Sequence, residues 1–324
     1  MKQFNKYNLG WLILTIIGGL LLFIGISTGT ISAFQQITLM MILINIILAV
    51  GLNLIIGFSG QFSLGHAGFM AIGAYSGAIV GDSVDGIWGF ALGLLVGAVI
   101  AIIAALIVGI PTLRLIADYL AIATLGVSEI IRIIIINIPS LTNGARGISG
   151  IGFPFESNLS FIMVTFAIVV ITTIITVNYI KSSPGRATIS IREDEIAAES
   201  MGVNTTRYKV IAFMIGAATA SIAGSLYATF FSVINPGVFN FQRSIDVLII
   251  VVFGGIGSIT GSFVAAVVLG LLTTALQPFG EMRMIIYSIA LVAIMVFRPG
   301  GLLGTKEFTI SGILKRFSKK EASK

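Results

Sequence analysis

Polar residues fall into a few short windows of this chain, and between them run apolar stretches of membrane-crossing length. A helix needs about 20 apolar residues to cross the hydrocarbon core. The runs at 10–28, 36–57, 63–81, 88–110, 119–138, 159–180 and 209–232 each read as one crossing. Gln35 and Gln36 stand at the mouth of the second run, and Pro111 and Pro139 close the fourth and fifth. Residues 245–277 are apolar for too long to be one untilted helix. Gly254, Gly255 and Gly257 interrupt them, which predicts two short crossings. The last run, 282–297, ends before Pro299. The pattern predicts an all-α, polytopic transmembrane helix bundle.

Charge sets the orientation. The N-terminus, the loop 181–209 and the tail with Lys315, Arg316, Lys319 and Lys320 are basic, so all three belong on the cytoplasmic face. Both termini inside requires an even number of crossings. The reading is about ten, or about eight if one glycine-broken piece only re-enters the membrane. Lys2 and Lys6 before the first apolar run imitate a signal peptide, but no clear small-residue cleavage site follows in Gly25–Ser32, so a retained first span is expected. Composition agrees: 56% of the 324 residues are hydrophobic and 10% charged, against about 25% charged in soluble domains. The net charge of +6 lies in tails and one loop rather than in a patch suited to nucleic acid. Cysteine is absent, which excludes disulfides and thiolate chemistry.

Among the polar windows, 181–209 is the longest: KSSPGRATISIREDEIAAESMGVNTTRYK. Pro184 and Gly185 read as a break after the preceding helix. Ser190 and Glu193 have capping-box spacing, which predicts a short helix over about Ser190–Met201 with Gly202 as its stop. Ile189, Ile196, Ala197 and Met201 can share one face of it. From the pattern, a solvated loop and a docking element are both open.

Candidate chemistry is sparse. No G-x-x-x-x-G-K-[ST] phosphate loop occurs, so ATP hydrolysis by that route is excluded. Ionisable groups inside a membrane raise a functional question by default. Glu129 and Arg132, three apart, can pair on one helix face, with Asp118 and Arg114 at the mouth of that span. The plainer reading is a structural ion pair. His66 is the one histidine; alone it makes no metal site, and hydrogen-bonded packing is its plainer role. Arg243 and Asp246 flank the start of the broken run. Neither charged rings nor filter-like repeats suggest a channel. The 38 glycines, several spaced four apart (Gly73, Gly77, Gly81; Gly89, Gly93, Gly97; Gly257, Gly261), argue for close helix packing. No catalytic residue, metal site or cofactor is expected.

Five motifs carry a resemblance. G-L-N-L-I-I-G-F-S-G-Q-F-S-L-G-H-A-G-F-M-A-I-G-A-Y at 51–75 resembles the motif of branched-chain amino acid ABC transporter permeases. L-R-L-I-A-D-Y-L-A-I-A-T-L-G-V-S-E-I-I-R at 113–132 and G-R-A-T-I-S-I-R-E-D-E-I-A-A-E-S-M-G-V at 185–203 look like the LivM branch of that family rather than its LivH sister. V-V-F-G-G-I-G-S-I-T-G at 251–261 and R-P-G-G-L-L-G at 298–304 match its C-terminal part. The family usually has glycine where Ala117 stands, and often a more basic residue at Ile116.

The resemblance implies a single permease domain over 1–304 with a basic cytoplasmic tail at 305–324. It implies a plasma-membrane importer subunit, not itself an enzyme, that moves solute by alternating access. The implied partners are a LivH-like permease, two ABC ATPase subunits and an extracytoplasmic solute-binding protein. Loop 181–209 is then similar to the coupling segment of such permeases. Ser190, Arg192, Glu193, Asp194, Glu195, Ala197, Ala198, Glu199 and Gly202 would engage the ATPase. Urea and short-amide importers share the fold, but their fifth-span motif looks different from D-Y-L-A-I-A-T-L-G. An ion-coupled carrier using Asp118, Glu129 and Arg132 is the reading from another class.

Overall fold

The computed structural model describes residues 17–302 and Gly304, apart from Asp85, Arg114, Ile116, Ala117 and part of 281–299. The Arg114 mouth position, the Ile116 and Ala117 departures, the basic tail and much of the last apolar run lie outside the described residues.

The described chain is a helix bundle. Helix α1 is Ile17–Ser27. Helix α2, Ala33–Asn53, starts with a capping box: Ser32 accepts from the Gln35 N–H and the Gln35 side chain accepts from Ser32 N at 2.8 Å. Its end widens into a π turn, Leu54–Phe58, and the chain then runs non-helically to α3, His66–Ser83. Helix α4 is Gly86–Thr112 and α5 is Asp118–Ile136. A short α6, Pro139–Thr142, leads to strand β1, Ile148–Ser149. Helix α7, Asn158–Lys181, follows a Ser157 cap. Helices α8, Ser183–Glu193, and α9, Glu195–Ser200, fill the long polar window. Helix α10, Thr205–Phe231, is capped by Asn204. Strand β2, Val233–Ile234, pairs antiparallel with β1. Helices α11, Phe241–Gly254, and α12, Ile259–Ala275, meet at a 118° bend.

Among the described residues, five helices are long and apolar enough to cross a membrane: Ala33–Phe58, α4, α5, α7 and α10, with the bent α11–α12 pair as a sixth if it is one span. The glycine-interrupted run 245–277 does break as expected, at residues 255–258.

The loop helix differs from the sequence expectation. The preceding helix does end just ahead of Pro184 and Gly185, at Lys181, but these two residues already lie in the first turn of α8, where the missing proline N–H has no intrahelical use, and Ser182 supplies the cap. The Ser190–Glu193 capping box does not form. Ser190 stays inside α8, and its hydroxyl donates to the Ala187 carbonyl at 2.8 Å. Asp194 is the cap instead, accepting from Ala197 N at 3.0 Å, so one expected helix is two. Gly202 does end α9, at φ +83°, with Gly202 N donating to Glu199 O and Val203 N to Ala198 O.

Lipid gives helices no hydrophobic reason to associate, so close backbone approach does that work. Gly73 and Gly77 of α3 lie against Ser221 and Ser225 of α10, running parallel, while Gly93 and Gly97 of α4 meet Gly77 and Gly73 antiparallel. The Ser225 hydroxyl donates to the Gly73 carbonyl at 2.8 Å across this seam. A Cβ on Gly73 would fall 1.8 Å from the Ser221 carbonyl oxygen, whereas one on Gly81 meets nothing within 4 Å. Gly73→Ala is therefore expected to destabilise by about 1–3 kcal/mol through forced separation of α3 and α10. Gly81→Ala should be neutral or slightly stabilising. Melting curves of the purified variants check this; equal melting temperatures would contradict the close-packed seam.

Candidate functional site

The non-helical backbone is concentrated where four of the five motifs meet. A helix interrupted where it is buried must satisfy its backbone inside the protein. Asn53, at the end of α2 and fully buried, does this for the α11–α12 turn. Its amide nitrogen donates to the Ser258 carbonyl and to the Ser262 hydroxyl, both at 2.8 Å, and its amide oxygen accepts from Gly257 N at 2.9 Å. Gly255 and Gly257 hold positive φ there, +117° and +84°, conformations glycine adopts without strain. Gly254 and Gly261 pack backbone to backbone, which lets α11 and α12 diverge from a tight turn. Leu302 N donates to the Phe253 carbonyl at 2.8 Å and Gly301 lies against Gly255, so the described part of the fifth motif closes over the same turn.

Arg192 connects this turn to the polar window. It leaves the last turn of α8, and its Nη1 donates to the Gly57 carbonyl at 2.5 Å. That carbonyl belongs to the π turn after Asn53. A Cβ on Gly257 would sit 3.0 Å from the same Nη1, and one on Gly60 would sit 2.9 Å from the arginine Cγ. The guanidinium thus lies between the interruption in α2 and the turn between α11 and α12. Glu193 grips its other edge as an ion pair and hydrogen bond. Ile191 and Thr188 are buried and anchor α8, and the Tyr179 hydroxyl shares a 2.7 Å hydrogen bond with Thr188.

Helix α9 shows the opposite character. Ala198 is buried, but Ile196 and Met201 are 79% and 85% exposed. Ala197 and Glu199 are also exposed, and Glu195 pairs with Lys209 at 2.6 Å, tying α9 to the start of α10. The expected shared apolar face is therefore divided. Ile189 is half-buried and packs on the core, while Ile196 and Met201 face outward.

The remaining sequence candidates do not gather into one site. Asp118 begins α5 and is exposed. Glu129 and Arg132 form a closed pair one turn apart, 2.7 Å between Oε2 and Nη2, with each side chain 27% exposed. His66 starts α3 and is buried; its ring lies beside the Leu48 carbonyl, but neither nitrogen closes a hydrogen bond. Asn53 was not singled out from the sequence: its partners lie more than 200 residues away, and no local spacing signals them.

Asn53→Leu keeps the volume but removes the acceptor of the buried Gly257 N–H. An unsatisfied buried group costs about 1–3 kcal/mol. The variant should therefore melt lower and be cut faster by protease near residues 255–258. A parental melting temperature and digestion pattern would contradict the stapling role.

A family model described as "Branched-chain amino acid transport system / permease component" matches residues 32–297. The high-affinity branched-chain amino acid transport system permease protein LivM of Salmonella typhimurium is 36% identical over 292 residues, covering 81% of this chain and 68% of that protein. LivM of Escherichia coli is 36% identical over 290 residues with the same coverage. The permease protein LivH of Escherichia coli is 28% identical over 293 residues, covering 81% of this chain and 91% of that protein. No solved structure matches the chain significantly. With the motifs meeting at one buried junction and the family model spanning most of its length, this chain, an integral membrane helix bundle, belongs to the branched-chain amino acid transport system permease components.

Proposed function

We propose that this chain is the LivM-type transmembrane subunit of a binding-protein-dependent ABC importer for leucine, isoleucine and valine. It works beside a LivH-like permease, two ATPase subunits and an extracytoplasmic binding protein, in the cell membrane. ATP is hydrolysed by the partners and the chain itself carries no catalysis. Residues 1–304 act as one permease domain, and 305–324 form a cytoplasmic tail. The crossings number about ten, with both termini inside.

The observation that carries the reading is the seat of Arg192. It places α8 of the basic window against Gly57 and Gly257, so the interruption in α2 and the α11–α12 turn share a face with that window. Both α11 and α12 then run away from the cytoplasmic face, which supports two crossings rather than one. Ile196 and Met201 offer the ATPase an exposed apolar pair on a capped helix, of the kind that buries at interfaces. ATP-driven closure pressing on α9 reaches the bundle through α8 and Arg192, and differential ATP affinity for the two states drives the change.

Uptake of labelled leucine by cells with and without this chain tests the reading, with isoleucine, valine and urea as unlabelled competitors. Deletion should abolish uptake, and isoleucine and valine should compete while urea does not. In the same assay, Ile196→Asp with Met201→Asp should cut uptake by about tenfold or more with membrane insertion intact. Leucine uptake that survives deletion would assign the permease to another small solute. Parental uptake by the double variant would contradict docking through α9.

A further inference from the structure

Two charged pairs with the same three-residue spacing lie on helices of this bundle, and they behave differently. On α5, Glu129 and Arg132 close an ion pair at 2.7 Å and neutralise each other. On α11, Arg243 and Asp246 do not. Arg243 turns instead to α2, where its Nη2 donates to the Asn45 side-chain oxygen at 2.8 Å. Its buried Nε has no hydrogen-bond partner. Asn45 is neutral, so no bonded counter-ion closes on the guanidinium. A guanidinium offers a rigid fork of donors suited to a carboxylate, and here most of that fork is unused. Asp246, one turn further along α11, is near enough to feel Arg243 electrostatically but not to bond it. Tyr227 of α10 also lies within electrostatic reach of Arg243.

Charges inside a membrane are retained only with partners, or where they meet a ligand or water. An open cation and an open anion on one helix face, about 5–6 Å apart at their Cβ atoms, are complementary to a molecule carrying both signs on adjacent atoms. We propose that Arg243, held by Asn45, takes the carboxylate of an α-amino acid, and that Asp246 takes its ammonium group. The three residues form a station on the solute path. The proposal rests on the importer reading and names the substrate contact within it.

Helix α11 ties this station to the coupling site. Arg243 is in its first turn, and the turn held by Asn53 and Arg192 is at its other end, about 18 Å of helix away. Helix α2 grips both ends, through Asn45 above and Asn53 below. A shift of α8 that loosens the lower grip tilts α11 and moves Arg243 against Asn45, changing affinity at the station with the coupling state.

The test uses the complete transporter, all subunits with the binding protein, in liposomes. Arg243→Gln, Asp246→Asn and Arg243→Lys are compared with the parent for leucine uptake, ATP hydrolysis stimulated by the leucine-loaded binding protein, and assembly yield. Arg243→Gln and Asp246→Asn should each lower uptake per assembled complex by about tenfold or more. Hydrolysis should stay within about twofold, and Arg243→Lys, which keeps the charge but loses the fork, should be intermediate. Uptake within about twofold of the parent in either neutral variant would overturn the station. So would failure of both neutral variants to assemble while Arg243→Lys imports like the parent, since that result marks a charge that only holds the bundle together. A parent complex that imports no leucine would overturn the importer reading itself, before any variant is compared.

Discussion

A backbone group buried away from water must find its hydrogen bond within the protein, and this holds for each buried interruption of a helix. The architecture at the centre of this bundle follows from that constraint. The chain interrupts α2 after Asn53 and breaks the α11–α12 run at 255–258, and the buried amide side chain of Asn53 holds the second break against the first. Close glycine approach lets the backbones come near enough for a single Asn to bridge them, and Gly301 and Leu302 close another side. Remove that amide and the turn loses its acceptor in a place where no solvent can replace it.

Arg192 gives the same junction a second function. A guanidinium is always charged, and seating it against a backbone carbonyl between two glycine-rich interruptions gives a polar window direct purchase on the bundle interior. The window has two parts with distinct roles. Helix α8 is anchored inward by Ile191, Thr188 and Arg192, and α9 displays Ile196 and Met201 outward. A force applied at α9 therefore has a short, polar and specific route to α2 and α11.

Most of the fold was legible because apolar run length is a direct physical requirement of the bilayer. The break in 245–277 could be read because glycines interrupt it. Helix ends were less legible. Ser190 and Asp194 are both good caps, and the local spacing favoured Ser190. Asp194 caps because α8 is held helical through Glu193 by tertiary anchors at Thr188, Ile191 and Arg192, which no local pattern records. Pro184 read as a breaker, but with Ser182 ahead of it the same residue starts a helix. The site was half legible. Arg192 stood among the coupling residues, and its guanidinium also reaches the Gly57 carbonyl of the interrupted α2. Asn53, and the pairing of Arg243 with Asn45 198 residues away, are invisible to spacing arguments because their partners are distant in sequence.

In the proposed importer, Arg192 transmits work from the polar window to the interrupted helices. The most direct test of this is the number of leucine molecules imported per ATP hydrolysed by the reconstituted transporter carrying Arg192→Gln. ATP hydrolysis is expected to continue while this ratio falls by about tenfold, through loss of the charge-assisted bond to the Gly57 carbonyl. A ratio equal to the parent's would contradict it and leave Arg192 as a packing residue.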